Sequence, residues 1–289
     1  MMFKSLFYII SLFPKKFFIY ILDFFMYFNV HKLSTAYKIT KRNLEIAYPS
    51  LSSDDIDLTS KLSFKETIIS GYETIYTWGR NTIASNNCFY KIENNFLLEN
   101  LMDKDKGLIV VSIHNRSVDM LLKWLNSRLT TVTLYKKVKN KYLDRFVKKQ
   151  RELNKSMCVP TNISGVRKIL KSLKQKKAVC FAADQVPQRG MGEYIKFFNR
   201  EAYSTTLVQN LAARTNAPVI YLFSNSNQDR NLYISIKPSN NDIYNDSKHK
   251  LLINNNIEKI ISQRPIDYSW EYKRFKKAKP PLSDPYKNI

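Results

Sequence analysis

The chain has 289 residues, 44% of them hydrophobic, and its 18 tyrosines and 17 phenylalanines exclude a disordered chain. This length is sufficient for one large globular domain and an appendage. Lys and Arg number 47 against 24 Asp and Glu, a net charge of +23, which points to a polyanionic partner: nucleic acid, an anionic membrane or a phosphorylated substrate.

The first thirty residues form the most apolar segment of the chain. No window in FKSLFYIISLFPKKFFIYILDFFMYFNV (3–30) reaches the roughly 20 uninterrupted apolar residues of a spanning helix, and no small-residue cleavage site indicates a signal peptide. The interruptions are Pro14, Lys15, Lys16 and Asp23. Two interpretations place the segment at a membrane: an imperfect span, or an aromatic-rich helix or helix pair in the interface. The alternative without a membrane is a buried core helix. We predict a membrane anchor at residues 1–30.

The segment after this anchor, HKLSTAYKITKRN (31–43), is basic and contains no acidic residue. Positive flanks remain on the cytoplasmic side of a membrane. An anionic leaflet attracts each nearby lysine by about 1 kcal/mol. The sequence therefore predicts a cytoplasmic body close to the membrane, although a coding bias toward Lys, Asn, Ile, Tyr and Phe would also produce part of the lysine excess.

Residues 31–100 are predicted to be a helical N-terminal part. The stretch YPSLSSDDIDLTSKLSFKETIISGYETIYTWG (48–79) begins with a Pro-Ser turn and continues with apolar residues at helical spacing. Ser52 or Ser53 can cap the helix, because acidic residues follow in the first turn.

Residues 101–289 alternate short apolar runs with amphipathic segments, which predicts an α/β core. The runs predict strands at residues 107–113, 131–135, 178–183, 217–224 and 232–238. Helices are predicted at 141–153 and 165–177, each with apolar residues on one face and basic residues on the other. Strands separated by such helices indicate βαβ units and a mainly parallel sheet flanked by helices.

The three cysteines, Cys88, Cys158 and Cys180, are odd in number and form no C-x-x-C pair. Cys180 lies in the apolar run AVCFAA and is predicted to be buried. This pattern supports neither a disulfide framework nor a zinc site, and it favours a reducing compartment. We expect no metal and no cofactor.

The stretch VVSIHNRSVDMLLKW (110–124) contains the strongest candidate for catalysis. His114 ends an apolar strand, Ser117 can cap the next helix, and Asp119 falls in the first turn of that helix. A carboxylate on Nδ1 would fix the tautomer of the imidazole and leave Nε2 as a base. This is the Ser-His-Asp arrangement without its serine, so the hydroxyl would come from the substrate. The alternative is a histidine that only closes a strand.

The spacing H-x-x-x-x-D after an apolar strand resembles the signature of the glycerolipid acyltransferase superfamily. Further stretches resemble the late acyltransferases of lipid A biosynthesis, the lauroyl and myristoyl acyltransferase family. KITKRNLEIAYPSLS (38–52) is similar to an early R-N-L element, and RPIDYSWEYKRFK (264–276) is similar to the closing block of the family. Between them, residues 161–224 contain GVRKIL, a D-Q pair after a strand, FFNREAYSTT and an A-P-V strand.

The resemblance implies an α/β acyltransferase fold and O-acyl transfer from a thioester, of acyl-carrier protein or of CoA, to a hydroxyl of a lipid A precursor. It places the enzyme at the bacterial inner membrane with the catalytic domain on the cytoplasmic face. His114 would be the general base and Asp119 the acid that orients it. An acyltransferase for a lysophospholipid or an amino-acid lipid is the first alternative, and a membrane-tethered nucleic-acid-binding protein is the second.

Other polar residues near the expected site are predicted to bind substrate. The basic ones are candidates for phosphate or carboxylate contacts, with plain surface as the alternative, and Asp184-Gln185 can orient the site or hydrogen-bond a loop. They are Arg116, Lys136, Arg167, Asp184, Gln185 and Arg189. Three positions depart from the family pattern: Asp119 stands where glutamate is frequent, Lys136 where arginine is usual, and Asn199 where glycine is usual. Trp270, Arg274 and Phe275 match the closing block, and we expect them to pack at a membrane-facing side.

Overall fold

The short apolar runs of the sequence form a sheet, and amphipathic segments form helices on both of its faces. The computed structural model of the protein describes residues 2–102, 106–245 and 249–289. Its α-helices are α1 (Met2–Ile10), α2 (Lys15–Tyr27), α3 (Thr35–Ala47), α4 (Ser53–Gly79), α5 (Thr82–Asn86), α6 (Phe96–Met102), α7 (Val118–Arg128), α8 (Lys141–Arg151), α9 (Ile163–Lys174), α10 (Leu207–Thr215) and α11 (His249–Gln263). Its strands are β1 (Phe89–Glu93), β2 (Leu108–Ser112), β3 (Thr131–Tyr135), β4 (Met157–Pro160), β5 (Ala178–Ala182), β6 (Gly192–Phe197), β7 (Arg200–Thr205), β8 (Val219–Ser226) and β9 (Leu232–Pro238).

The main sheet has seven strands in the order β1-β9-β8-β2-β5-β3-β4. Neighbouring strands are parallel except β8 and β9, which are antiparallel, and β6 and β7 form a separate antiparallel hairpin. Every residue of β2 is buried, because helices cover the sheet on both faces. The predicted class, a mainly parallel mixed sheet flanked by helices, is therefore confirmed.

The five strands predicted from apolar runs are present as β2, β3, β5, β8 and β9. The sequence did not predict β1, β4 or the β6–β7 hairpin. β1 and β4 are the two edges of the sheet. β1, FYKIE, is interrupted by charged residues, and β4, MCVP, is an apolar run of only four residues that ends in proline, so neither strand gives a strong sequence signal. The segment 31–100 is helical as predicted except for β1, which pairs with β9.

Helix α4 begins at the predicted cap. The Ser52 hydroxyl accepts a hydrogen bond from the Asp55 N–H at 3.1 Å, and Asp54 and Asp55 lie in the first turn, where acids favour the positive end of the helix. The amphipathic helices predicted at 141–153 and 165–177 are α8 and α9.

Alternate residues of β2 contact two different apolar layers. Ile109 and Val111 face the layer that includes α9, α10 and α11, whereas Leu108 and Val110 face the layer under α7. Cys180 is buried in this second layer, as predicted. Both layers end near the carboxyl edge of the parallel strands, the edge at which ligands bind in open α/β sheets.

The N-terminal segment forms two short helices, α1 and α2, which meet at an angle of 82°. No single helix in the described part of the chain is long and apolar enough to cross a bilayer, and the α1–α2 pair meets that test only jointly. Leu22 and Met26 pack against α4, but most large apolar side chains of the pair are exposed. This exposure excludes a buried core helix. The exposed side chains are Leu6, Tyr8, Ile9, Leu12, Phe13, Phe17, Tyr20, Ile21, Phe24, Phe25 and Tyr27.

Candidate active site

The register of the sheet places His114 beside Asp184. Strands β2 and β5 are parallel neighbours with Ser112 opposite Ala182, and each residue of the pair lies two positions beyond that match. The Asp184 Oδ1 lies 2.9 Å from the His114 Nδ1, and the backbone N–H of His114 donates to Oδ2 at 3.0 Å. Both carboxylate oxygens therefore orient the histidine.

The predicted pairing of His114 with Asp119 is wrong in this structure. Asp119 instead accepts two hydrogen bonds from Arg151 of α8, from Nε at 2.7 Å and from Nη2 at 2.9 Å. Ser117 adopts a left-handed conformation with φ 52°, and its side chain does not cap α7 as predicted, because its hydroxyl donates to Glu73. The turn after β2 thus directs Asp119 toward α8.

The charges of the pair follow from burial and contact. Burial lowers the pKa of His114, but the charge and hydrogen bond of Asp184 more than offset this, so the pKa lies above the ordinary 6.5. Burial raises the pKa of Asp184, but the charge of His114 and hydrogen bonds from its ring and backbone place that pKa below its ordinary value. Asp184 is therefore a carboxylate that accepts the Nδ1 proton, and Nε2 is left for a substrate.

His114 lines a cavity of about 450 Å³ at the carboxyl edge of the sheet, which we call the His114 cavity. One part of its wall is polar, with Asp119, Arg151, Lys136 and Gln185. The other part is largely apolar. Apolar lining residues include Val118, Leu122, Leu134, Phe181, Val186, Pro187, Met191 and Leu207. Such a cavity can accept a molecule with a hydrocarbon chain beside a polar group.

The prediction that Arg116 binds substrate is wrong, because the guanidinium is fully buried. Its Nε and Nη2 donate to Glu73 at 2.8 and 2.9 Å, and Nη1 lies 3.5 Å from Asp267 and also contacts Glu66. Burial lowers the pKa of Arg116, but these carboxylates raise it well above its ordinary value. Arg116 therefore fixes the loop that follows His114.

The remaining predicted substrate residues lie in different places. Lys136 and Gln185 line the His114 cavity. Asp184 hydrogen-bonds His114 and does not line that cavity, which corrects the predicted substrate contact and favours the predicted orienting role. Arg167 lines a neighbouring cavity of about 280 Å³. The two cavities share Met191 and Leu207 in their walls. Arg189 is exposed on the loop between residues that line the two cavities.

Sequence reasoning missed Arg151. The sequence predicts only that basic residues cover one face of the helix at 141–153, whereas Arg151 lies at the end of α8 and contacts Asp119 in the His114 cavity. Its position at the end of an amphipathic helix next to a strand end was the only available signal. Among the described residues, no group of three or more His, Cys, Asp or Glu could bind a metal ion.

The early and closing sequence blocks meet behind the site. Asn43 Nδ2 donates to the carbonyl oxygens of Trp270 at 2.6 Å and Tyr272 at 2.9 Å. Trp270, Arg274 and Phe275 are buried, and Arg274 donates to the Tyr203 carbonyl at 3.0 Å. These residues pack in the interior, and their predicted place at a membrane-facing side stays a prediction. Two distant segments that carried the family resemblance therefore pack together beneath the loop at His114. The His114 carbonyl accepts a hydrogen bond from the Ser269 N–H of the closing block.

The sequence profile of the family described as "Bacterial lipid A biosynthesis acyltransferase" matches residues 3–277. The chain belongs to this family. It is 24% identical over 244 residues to the lipid A biosynthesis palmitoleoyltransferase of Escherichia coli (strain K12) and to a lipid A biosynthesis acyltransferase of Shigella flexneri, with 82% of this chain and 78% of each relative covered.

It is also 23% identical over 246 residues to the lipid A biosynthesis lauroyltransferase of Escherichia coli (strain K12), with 83% of this chain and 78% of that relative covered. Because the family match spans nearly the whole chain, the protein is an acyltransferase of the lipid A type. Its reaction class is acyl transfer in lipid A biosynthesis, and its substrates are an acyl donor and a lipid acceptor.

Proposed function

We propose that His114 is the general base of an O-acyl transfer to a hydroxyl of a lipid A precursor. Nε2 removes the hydroxyl proton while the oxygen attacks the carbonyl carbon of an acyl thioester. The new C–O bond forms, the C–S bond breaks, and the proton passes from the imidazolium to the leaving thiolate. The observation that carries this proposal is the hydrogen-bonded pair of His114 and Asp184 at the wall of the His114 cavity.

Asp184 stabilises the imidazolium that forms during the reaction. Its carboxylate is buried and already accepts from Nδ1, so the charge that develops on the ring needs no further rearrangement of the site. General base catalysis of this kind contributes roughly 10²–10⁴-fold to the rate.

Asp119, predicted as the orienting acid, acts in this proposal through Arg151. The two-bond contact holds the guanidinium on the polar wall, and Arg151 is close enough to His114 to lower its pKa through charge repulsion. As a fixed cation in the wall of the same cavity, Arg151 stabilises the negative charge that forms on the thioester carbonyl oxygen.

The cations at the rim determine how the acceptor and donor bind. In this proposal Lys136 in the His114 cavity and Arg167 in the neighbouring cavity contact phosphate groups of a lipid A precursor, and Arg189 is exposed on the loop between residues that line the two cavities. The donor is the thioester of acyl-carrier protein or of CoA, both of which are anionic and suit a chain of net charge +23.

We also propose that α1 and α2 lie in the membrane interface. Phe24, Phe25 and the other exposed apolar side chains form a surface too large for a soluble monomer to leave in water. The basic segment 31–43 orients the body toward the cytoplasmic face of the bacterial inner membrane.

The decisive experiment offers the purified protein a tetraacylated Kdo-bearing lipid A precursor with a panel of acyl-CoA and acyl-carrier-protein donors. Mass spectrometry should detect a product one acyl chain heavier, formed by the wild type and not by His114→Ala. Acylation of a lysophospholipid or an amino-acid lipid in place of the precursor would replace the proposed acceptor. A nucleic-acid-binding function has no support in the sheet, because helices cover both faces.

A further inference from the structure

A separate cavity lies where α1 and α2 meet. Its volume is about 370 Å³, and it shares no lining residue with the His114 cavity among the described residues. The chain from Ser11 to Lys15 forms one wall, α4 forms a second, and residues Arg230–Leu232 before and at the start of β9 form a third. We call it the kink cavity.

The interior and the rim of the kink cavity are mostly apolar. Tyr72, Tyr76 and Met120 line the interior. Leu12 and Phe13 line the rim, with 53% and 55% of their surfaces exposed. These two side chains belong to the exposed apolar surface of α1 and α2, so a hydrocarbon chain in the interface would meet the cavity at that rim.

Two cations lie in the wall of this apolar cavity. Lys15 Nζ lies 2.6 Å from Glu73 Oε1, and Arg230 Nε donates to Glu66 Oε1 at 2.7 Å. The two side chains remain 32% and 31% exposed. Lysine has three donor hydrogens and arginine has five, so each cation can bind an anion while it keeps its carboxylate.

The charges around these cations leave room for an anion. In the described part of the chain, one ion cluster joins three carboxylates to four cations, so one positive charge is in excess. The carboxylates are Glu66, Glu73 and Asp267, and the cations are Lys15, Arg116, Arg230 and Arg264. Helix α2 also begins at Lys15 without a side-chain cap, which adds the positive end of a helix dipole.

We propose that the kink cavity binds one anionic phospholipid, with its phosphate on Lys15 and Arg230 and an acyl chain against Tyr72, Tyr76 and Met120. This inference rests on the proposed membrane attachment of α1 and α2. Glu73 contacts Lys15 on one side and Arg116 and Ser117 on the other. The bound lipid therefore stabilises the cluster that fixes the loop after His114.

The test uses the full-length protein in detergent with added phosphatidylglycerol, phosphatidylcholine or inorganic phosphate. Native mass spectrometry should show one phosphatidylglycerol retained per chain, and this lipid should raise the melting temperature. Phosphatidylcholine should bind about tenfold more weakly or worse, because its headgroup has no net charge to match the excess cation. Equal stabilisation by inorganic phosphate would overturn the proposal, since a lipid would then not be the ligand.

Three variants separate the contributions to lipid binding of the phosphate contacts, of the space for the acyl chain and of general charge attraction. Lys15→Gln combined with Arg230→Gln should weaken phosphatidylglycerol binding by about a hundredfold or more, because two charge-assisted contacts to the phosphate are lost. Cys88→Trp fills the cavity without changing charge and should also abolish retention of the lipid. Lys16→Gln removes one positive charge from an exposed neighbour of Lys15 on α2 and should bind the lipid like the wild type.

Retention of the lipid by both the double variant and Cys88→Trp, at the level of Lys16→Gln, would overturn the proposal. Sedimentation with anionic vesicles distinguishes this failure from failure of the membrane attachment. A wild type that sediments with vesicles but retains no lipid in detergent refutes only the kink-cavity site. A wild type that does not sediment with vesicles refutes the attachment on which the site depends.

Discussion

Replacing Asp184 with asparagine removes one charge while it keeps the shape of the side chain. Each oxygen of the buried Asp184 faces a donor of His114, the backbone N–H at 3.0 Å and Nδ1 at 2.9 Å. Asparagine has only one acceptor oxygen. When that oxygen remains on the backbone N–H, the NH₂ group faces Nδ1, and the imidazole proton moves to Nε2. The ring then lacks a free base on the side of the substrate.

We expect turnover of Asp184→Asn to fall roughly 10²–10⁴-fold, the range that general base catalysis contributes. That loss corresponds to about 3–5.5 kcal/mol of transition-state stabilisation. Binding of the lipid acceptor should change much less, because Asp184 contacts His114 at the wall of the cavity and its side chain is buried.

The pH profile of the residual activity is the sharper readout. Burial lowers the pKa of His114, but Asp184 more than offsets this, so the wild-type kcat/KM should rise with pH through a pKa above 6.5 and level off beyond it. In Asp184→Asn the burial remains and the raising charge is lost. The acid limb of the profile should therefore move to lower pH.

The assay measures initial rates of acyl transfer across the pH range in which histidine titrates. Asp119→Asn is the matched control, because it converts the same functional group at another residue of the cavity, where the carboxylate contacts Arg151. This control should shift the acid limb less than Asp184→Asn. Two results would refute the assignment of Asp184 as the partner of His114. One is an Asp184→Asn variant with an unshifted acid limb and activity within a few-fold of wild type. The other is an acid limb that shifts only in Asp119→Asn.

Three further predictions follow from named contacts. Arg151→Ala should lower turnover about 10²–10³-fold with unchanged folding, because it removes the cation proposed to stabilise the carbonyl oxyanion. Steady-state kinetics measures this loss of turnover. Arg116→Met leaves buried carboxylates unpaired and should lower the free energy of unfolding by about 3–5 kcal/mol in urea. Phe24→Ser with Phe25→Ser should weaken vesicle binding by about 1.5–3 kcal/mol per aromatic ring, measured by co-sedimentation.

Matched controls make each of these outcomes specific. Arg145→Ala, on an exposed position of α8, should leave turnover unchanged, and an equal loss there would contradict the role of Arg151. Arg42→Met removes an exposed arginine and should change stability within about 0.5 kcal/mol. Phe96→Ser removes an exposed aromatic side chain from α6, and vesicle binding that responds equally to it would refute an interface at α1 and α2.

The central strands could be predicted because strands that are buried on both faces consist of continuous apolar residues. β2, β5 and β8 are covered on both faces, which requires continuous apolar runs. β1 and β4 lie at the edges, where Tyr90 and Met157 are exposed. Charged residues interrupt β1 and the apolar run of β4 has only four residues, so their signal is weak. Edge strands depend on a neighbour that only the folded chain supplies.

In the site, too, the sequence does not predict the contacts that form only when the chain folds. His114 was found because it follows an apolar strand, but its partner was assigned to Asp119, which is near in sequence, whereas the β2–β5 register brings Asp184 from 70 residues away. The charge of Arg116 was visible, but its burial between Glu66 and Glu73 was not, because both partners lie on a helix far upstream. Spacing along the chain cannot report contacts that register and packing create.

The most direct test of His114 as the base is single-turnover acyl transfer by His114→Ala, with a lipid A precursor and an acyl thioester donor. We expect the chemical step to slow roughly 10²–10⁴-fold or more, while the melting temperature and vesicle binding stay those of the wild type. Transfer within a few-fold of the wild-type rate, in a variant that is folded and membrane-bound, would contradict this role of His114.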